Sequence, residues 1–333
     1  MSEPRPLEIF LDEFTAGTAE GDATREALPA TLRALAGVAA ELSGLIAEGE
    51  LEGRLAEAVG ENVDGDTQKA LDVQADKRFV QALEGAPVAV LGSEERDTAL
   101  SLNPEAPLAV TLDPLDGSSN IATNVSVGSI FGIYPVLEAG ESAERSILQP
   151  GRKQLAAGFV VYGPQTTMTL TLGAGTHVFT LSRKRGGFWL TGSGIAIPPE
   201  QPEYAINGSN ARHWDAAIRT YIEECKAGKD GPRGRDYNTR WVASLVADAF
   251  RIFSRGGIFL YPGDDRPRYR NGRLRIVYEA NPISFLVEQA GGKASDGRSR
   301  ILDIQPEALH QRVPLVFGST LEVERVATLY GND

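Results

Sequence analysis

Cysteine occurs once in these 333 residues, at Cys225, and histidine three times, at His177, His213 and His310. A single thiol excludes intrachain disulfides and cysteine-ligated zinc or iron–sulfur sites. Three histidines far apart in sequence leave little for a histidine metal site. No stretch approaches the roughly 18 consecutive apolar residues of a membrane span. The opening segment Met1–Phe14 has neither the basic start nor the apolar core of a signal peptide. Cations are also scarce: 33 Lys plus Arg face 45 Asp plus Glu, a net charge of −12. So acidic a chain makes nucleic acid and anionic membrane surfaces poor partners. There is no glycine-rich loop ending in Lys-Ser or Lys-Thr, no serine elbow between glycines and no nucleophilic triad. The reading is of a soluble, cytoplasmic protein whose chemistry comes from carboxylates, hydroxyls, arginines and backbone.

What is present fits an ordinary globular chain, with 42% hydrophobic and 23% charged residues. The length suits two domains or one large α/β unit. Residues 27–59 carry Leu28, Leu32, Leu35, Val38, Ala39, Leu42, Leu45 and Ile46 at helical spacing, which predicts one or two amphipathic helices. A polar loop, Gly60–Gly65, leads to a helix around Lys69–Leu83. Short apolar runs at Val88–Leu91 and Leu108–Leu112 read as strands ending in acidic turns. Further strands are expected at Ile130–Val136, Ala156–Tyr162, Met168–Leu172, His177–Leu181 and Ile258–Leu260. Helices are expected near Asp215–Cys225, Val242–Phe253 and Pro282–Gln289. The last would be capped by Asn281 and ended by Gly291-Gly292. A Gly- and Pro-rich stretch at Gly192–Pro202 divides the chain into residues 1–195, with most of the candidate metal ligands, and 196–333.

Two motifs fail on inspection. Gly173-Ala174-Gly175 starts like a dinucleotide fingerprint, but the third glycine is missing and another strand follows, so a hairpin turn is expected. Asn62-Val63-Asp64-Gly65-Asp66 hints at a calcium loop, yet its glycine comes too early and its twelfth position would be Val73.

What remains is a set of acids at strand ends and helix starts. The densest string is Thr111-Leu112-Asp113-Pro114-Leu115-Asp116-Gly117-Ser118-Ser119-Asn120. Two carboxylates three residues apart on a stiff, proline-containing turn can converge on one point. The Gly-Ser-Ser that follows exposes backbone N–H groups suited to a phosphate. Hard oxygen ligands beside an anion cradle imply Mg²⁺ or Mn²⁺ rather than zinc or copper. Glu94-Glu95, Glu279, Asp66 and Asp72 add further acids at comparable places. Metals held by such carboxylates polarise a phosphoryl group, generate hydroxide and neutralise a leaving alkoxide, so the string points to metal-dependent phosphoryl hydrolysis. A run of arginines, Arg266, Arg268, Arg270, Arg273 and Arg275, with Arg233, Arg235 and Arg240 as a smaller group, suits a second anionic group on the substrate. Arg266 and Arg268 are expected simply to solvate a surface.

The string Asp113–Asn120 resembles the signature of class I fructose-1,6-bisphosphatases, within the lithium-sensitive, metal-dependent phosphatase superfamily. Gly65-Asp66, Lys69–Val73, Ser93-Glu94-Glu95, Val125–Tyr134, Leu148–Gly151, Ala156–Gly158, Gly256–Pro262, Tyr278–Pro282, Ala290–Gly292 and His310–Arg312 keep the family's order. The resemblance covers roughly residues 60–320. It implies a mixed α/β, layered αβαβα sugar-phosphatase fold of two fused domains and a homotetramer. It also implies Mg²⁺-dependent hydrolysis of the 1-phosphate of fructose 1,6-bisphosphate, in gluconeogenesis or a Calvin-type cycle. By position, Glu94, Asp113, Asp116, Glu279 and the carbonyl of Leu115 would hold two Mg²⁺ ions, with Asp66 and Glu94 serving a third; Mn²⁺ is an alternative. Glu95 and Asp72 would be the acid/base pair. Asp116, Gly117, Ser118 and Ser119 would grip the 1-phosphate. Asn207, Tyr261, Arg273, Trp241 and Arg240 would line the 6-phosphate and sugar pocket, Arg240 arriving from a neighbouring subunit.

The sequence departs from the family pattern where specificity and regulation are set. Arg273 stands where lysine is usual, Trp241 where tyrosine is, Asn210 where another tyrosine often sits, and Ala122 replaces a commonly acidic residue. Leu108 and Pro135 occupy positions usually given to tyrosine and arginine at the AMP site, so AMP is expected to leave the enzyme largely uninhibited. Cys225 alone cannot form the dithiol of a thioredoxin-type switch. Sedoheptulose 1,7-bisphosphate, alone or as a second substrate, is the nearest alternative. An inositol-phosphate phosphatase leaves the arginine pocket unexplained. A catalytically silent sugar-phosphate sensor conflicts with the full set of carboxylates.

Overall fold

The computed structural model describes residues 4–52, 55–61, 67–137 and 143–331. Nine strands form the larger sheet. Their spatial order is Arg5–Pro6, Phe188–Gly192, His177–Leu181, Thr166–Thr171, Ala156–Tyr162, Val127–Pro135, Leu108–Asp116, Val88–Ser93 and Leu100–Ser101. Neighbours are antiparallel except Val88–Ser93 and Leu108–Asp116, which run parallel and so end side by side. A five-stranded sheet follows in the order Asn238–Thr239, Glu203–Ile206, Ile258–Tyr261, Leu315–Gly318 and Lys293–Ser295.

Alternation along the strands explains the layering, because successive side chains face opposite sides of a sheet. Leu108, Val110 and Leu112 join a core with the helices Leu7–Ala16, Ala23–Glu48 and Ala70–Glu84, whereas Ala109 between them faces the other way. The second core takes Ala109, Ile130, Ala157 and Phe159 from the large sheet and Ala205, Phe259 and Phe317 from the small one. The helices Leu245–Arg255 and Asn281–Gln289 lie between them. Tyr204, Ile258, Leu260 and Val316, on the outer face of the small sheet, pack on Ala216–Lys226 and Thr320–Gly331. The result is the mixed α/β, αβαβα stack, with two sheets fused through a shared helical layer.

Several boundaries differ from the sequence reading. The helical signal of residues 27–59 resolves into one helix, Ala23–Glu48, started by Asp22, whose side chain accepts from the Arg25 N–H. Gly49, at φ +57, ends it; a short 3₁₀ turn follows and Ala58–Glu61 is a strand. This helix is the one among the described residues that is long and apolar enough to cross a membrane. Its Leu28, Leu32, Leu35 and Leu42 are buried against the large sheet. Asn281 does not cap its helix. A π-helical turn, Ile276–Ala280, runs straight into Asn281–Gln289, so Asn281 is already helical and its buried side chain meets the Tyr134 hydroxyl instead. Gly173 and Gly175, both at positive φ, do turn a hairpin between Thr166–Thr171 and His177–Leu181.

Candidate metal centre and active site

In a regular strand, residues three apart point to opposite faces. Asp113 and Asp116 escape this through a register shift: Asp113 pairs with Ile130 but Asp116 with Gly128, so three steps on one strand oppose two on the next. Pro114 lies inside the shift and cannot donate to the ladder. Its carbonyl accepts from the Ser129 hydroxyl at 2.7 Å, and the Leu115 N–H donates to Asp113 Oδ1 at 3.0 Å. The bulge thus brings both carboxylates to one side. Glu279 reaches the same point from the π-helical turn. Oxygens of Asp113, Asp116 and Glu279, all buried, lie within 4.8 Å of one another.

Glu94 follows the parallel neighbouring strand and its N–H donates to the Leu112 carbonyl at 3.0 Å, which sets it beside Asp113. Its carboxylate pairs with Arg275 at 2.9 Å, while the Arg275 N–H donates to Glu279 Oε2 at 2.5 Å. Asp116 also receives the Val246 N–H at 3.1 Å, at the start of the helix Leu245–Arg255. Gly128, opposite Asp116, makes room for that helix, since a Cβ there would meet the Val160 carbonyl at 2.2 Å and Val246 at 2.5 Å.

Concentrated acid without a cation is costly, and the carboxyls respond by holding protons. Burial, then repulsion from Glu94 and Asp116, pushes Asp113 well above the usual carboxylate range. Burial and Glu94 do the same to Glu279. Asp116 is raised to about 7, by burial against the opposing Val246 hydrogen bond, with Glu94 and Asp248 adding repulsion. Asp72, in the first turn of Ala70–Glu84, is raised to about 6 by burial. Its Oδ2 accepts from the Lys69 N–H at 2.6 Å and Ser118 hydrogen-bonds its side chain, whereas its buried Oδ1 has no partner among the described residues. An all-oxygen, buried, mutually repelling donor set fits a hard divalent cation, whose charge would remove the repulsion.

After Asp116 the chain turns through Gly117, at φ +76, into the 3₁₀ segment Ser118–Thr123, and the Asn120 side chain anchors to the Ala243 carbonyl at 2.8 Å. The small sheet supplies the second region. Glu203–Ile206 and Ile258–Tyr261 are parallel, so Asn207 and Tyr261 lie at adjacent strand ends, where α/β folds present ligands. The Arg273 guanidinium lies 5.5 Å from the Tyr261 ring and 3.5 Å from that of Tyr269, and pairs with Asp264 at 3.6 Å. Trp241 stacks on Phe259 and meets Tyr261 edge-on at 5.6 Å. Burial raises the Tyr261 phenol, Arg273 opposes that, and Glu279 raises it further, which ties this pocket to the acidic centre.

The family model for the fructose-1-6-bisphosphatase N-terminal domain matches residues 11–193, and that for the C-terminal domain matches 197–331. This chain belongs to the fructose-1,6-bisphosphatase family. It is 54% identical over 97% of its length to a class 1 fructose-1,6-bisphosphatase of Nitrobacter hamburgensis, covering 93% of that relative. Identity is also 54% with the class 1 enzyme of Methylorubrum populi, over 98% of this chain and 93% of the relative. The crystal structure of Leishmania major fructose-1,6-bisphosphatase in holo form superimposes with a TM-score of 0.90 at 34% identity, over 98% of this chain and 99% of that one. The family is metal-dependent, and among the described residues the buried trio is a group that could hold a metal ion.

The structure brings Glu94, Asp113, Leu115, Asp116 and Glu279 of this fructose-1,6-bisphosphatase family member into one neighbourhood. Glu95 is next in chain, its N–H on Ser93 Oγ at 3.4 Å. Asp66 lies outside the described residues. Arg240 stays apart: its exposed side chain faces Glu203 at 3.8 Å and not Tyr261. Arg266 needs correction. Far from solvating a surface, it is paired with Asp264, donates to Asn210 Oδ1 at 2.9 Å and stacks 4.8 Å from the Tyr269 ring, because Asp264 is buried and needs a cation. Asp264 was missed as a site residue, and Arg275, read only as one of the arginines suited to a substrate anion, instead holds Glu94 and Glu279. No pattern in the sequence marks Asp264, two residues before Arg266.

Proposed function

We propose that this chain hydrolyses the 1-phosphate of D-fructose 1,6-bisphosphate, using Mg²⁺ at Glu94, Asp113, the Leu115 carbonyl, Asp116 and Glu279. The observation that carries the reading is the buried Asp113–Asp116–Glu279 trio, with its raised carboxyls. When bound, two or three Mg²⁺ ions, or Mn²⁺, would polarise the phosphoryl group and neutralise the leaving oxygen. Asp66 would contribute to the third.

The chain's own residues divide the remaining work. Asp116, Gly117, Ser118 and Ser119 hold the 1-phosphate through hydroxyls and turn N–H groups. Asp72, whose Oδ1 is buried without a partner, accepts the proton of the attacking water together with Glu95. Water oxygen bonds to phosphorus, the bond from phosphorus to the sugar oxygen breaks, and a proton ends on that oxygen, giving fructose 6-phosphate and phosphate. Asn207, Tyr261, Arg273, Trp241 and, from a neighbouring subunit, Arg240 hold the sugar and its 6-phosphate. In this reading residues 1–195 and 196–333 are the two fused domains, the assembly is a homotetramer, and the enzyme is cytoplasmic, serving gluconeogenesis or a Calvin-type cycle.

Phosphate release from fructose 1,6-bisphosphate and sedoheptulose 1,7-bisphosphate, side by side with Mg²⁺ and with EDTA, is the test. Release from the fructose ester that EDTA abolishes is expected. Preference for the sedoheptulose ester would keep the metal centre and move specificity to Trp241 and Arg273; release from neither would favour a silent sensor.

A further inference from the structure

Beside the short ladder Leu274–Arg275 with Arg312–Val313 lies a cavity of about 690 Å³, whose walls include Arg268, Arg270, Arg312, His310, Glu307 and Gln311. None of the metal or substrate residues named in the proposed function lines it. Arg270, Asp296 and Pro314 are shared with a second cavity of about 510 Å³. Three arginines around one hollow are a marked local excess in a chain of net charge −12. Of the two acids on its walls, Asp296 is engaged by the backbone N–H groups of Arg298 and Ser299, at 2.8 and 2.6 Å.

The chemistry of the walls narrows the occupant. Guanidinium groups recognise phosphate or carboxylate oxygens. Glu307, Gln311 and Asn271 add acceptors and donors suited to hydroxyl groups. No Phe, Tyr or Trp lines the cavity, so a nucleobase would find no such ring to stack on. The volume lies within the ordinary range for small ligands.

Two connections run from this cavity to the catalytic turn. His310 Nε2 donates to the Arg96 carbonyl at 3.0 Å, two residues after Glu94. Arg96 in turn holds Asp76 at 2.6 Å, and Asp76 receives the Ser93 hydroxyl at 2.7 Å. Separately, Arg312 stands opposite Arg275 in the two-stranded ladder, and the Ile276 N–H donates to the Gln311 carbonyl at 2.9 Å. The wall residues His310, Gln311 and Arg312 therefore lie one hydrogen bond or one ladder step from the groups that position Glu94 and Glu279.

We infer that this cavity is a second, non-catalytic site for a small hydroxylated phosphate monoester, and that its occupancy changes turnover at the metal centre. The binding half stands alone; the effect on turnover rests on the phosphatase reading above.

Glycerol 3-phosphate serves as the probe, titrated calorimetrically into the full chain with Mg²⁺, with phosphate release from fructose 1,6-bisphosphate followed over the same range. One site per chain is expected, retained in Asp116→Ala and weakened roughly tenfold or more in the double variant Arg268→Ala, Arg270→Ala. Wild-type kcat should change with probe concentration, and the double variant should keep its basal turnover but lose that response. Should the double variant not fold, Asn271→Asp, which adds a negative charge to the same wall, carries the same expectation. Unaltered binding in the wall variants, loss of binding in Asp116→Ala, or none up to about 10 mM would overturn the site. Binding without any change in kcat would overturn the coupling. Wild-type protein that binds the probe yet releases no phosphate would instead remove the proposed function and leave the site standing.

Discussion

Asp116 is asked to do three things with two oxygens: start a helix by accepting the Val246 N–H, face Asp113 and Glu279, and stay buried. Its folded pKa of about 7 lies above the ordinary carboxylate value, so its charge opposes folding when no cation is bound. That penalty is absent below about pH 4 and grows as pH rises toward about 7. Asp116→Asn should therefore stabilise the metal-free protein at pH 8, on the order of 1–3 kcal/mol by denaturant unfolding, and leave stability at pH 4 little changed. Asp116→Ala should abolish turnover while the fold persists; activity within roughly tenfold of wild type would sink its assignment as a metal ligand. A related expectation concerns protons. At pH 6.5 Asp116, raised to about 7, is still substantially protonated, and Asp113 and Glu279 are shifted in the same direction, so Mg²⁺ must displace protons, and its affinity should rise with pH until about 7 is passed. Calorimetry in buffers of different ionisation enthalpy reads this directly: no net proton release would mean that the carboxyls are already charged. At this scale the sequence marked most of the acids, because an ordered string such as Asp113–Asn120 is chemically specific. It did not mark Asp264, and it read Arg266 as a surface group, since a lone Arg–Asp pair two residues apart looks the same on a surface as it does over Tyr269.

A bulge cannot be read from side-chain type, and here it is what makes the metal centre. The apolar run predicts a strand over Leu108–Leu112 with the two acids converging on the turn after it; the strand instead continues to Asp116, where plain alternation would send Asp113 and Asp116 to opposite faces, and the register shift against Val127–Pro135 is what brings them together. Gly128→Ala tests this element. The added Cβ would overlap the Val160 carbonyl and Val246, so a loss of roughly 1–3 kcal/mol in unfolding free energy is expected, together with weakened Mg²⁺ binding as the helix start is pushed from Asp116. Unchanged metal affinity in a destabilised variant would separate the bulge from the site. The Asn281 cap was misread for a comparable reason: Asn followed by Pro is a common helix start, but a π-helical turn already runs into it and brings Glu279 inward. At the start of the same large-sheet ladder, Leu108 pairs directly with Pro135, an apolar couple where a nucleotide-binding site needs polar groups. AMP should accordingly leave phosphate release unchanged, and clear inhibition at micromolar AMP would refute the expectation.

Over the whole molecule, the layered stack was legible through the resemblance to the family, whereas hydrophobic periodicity by itself indicated separate helices and strands and not their order in layers. The distribution of the site was not legible in the same way. Residues 72, 94, 113 and 116 come from one half of the chain and residue 279 from the other. Removing Mg²⁺ with EDTA at pH 8 should therefore lower the melting temperature by several degrees, since the repelling carboxyls lose their counter-charge. An unchanged melting temperature would mean that the ion contributes nothing to holding the layers.

The π-helical turn has a mechanical consequence. It delivers Glu279 to a point that is otherwise built from the large sheet, so an ion shared between Asp116 and Glu279 would close a loop between residues 163 positions apart in sequence (279 − 116). Such a closure would act as a reversible clasp between the large sheet and the helical layer beside it, so that loading the ion would order the candidate centre and that seam in the same event.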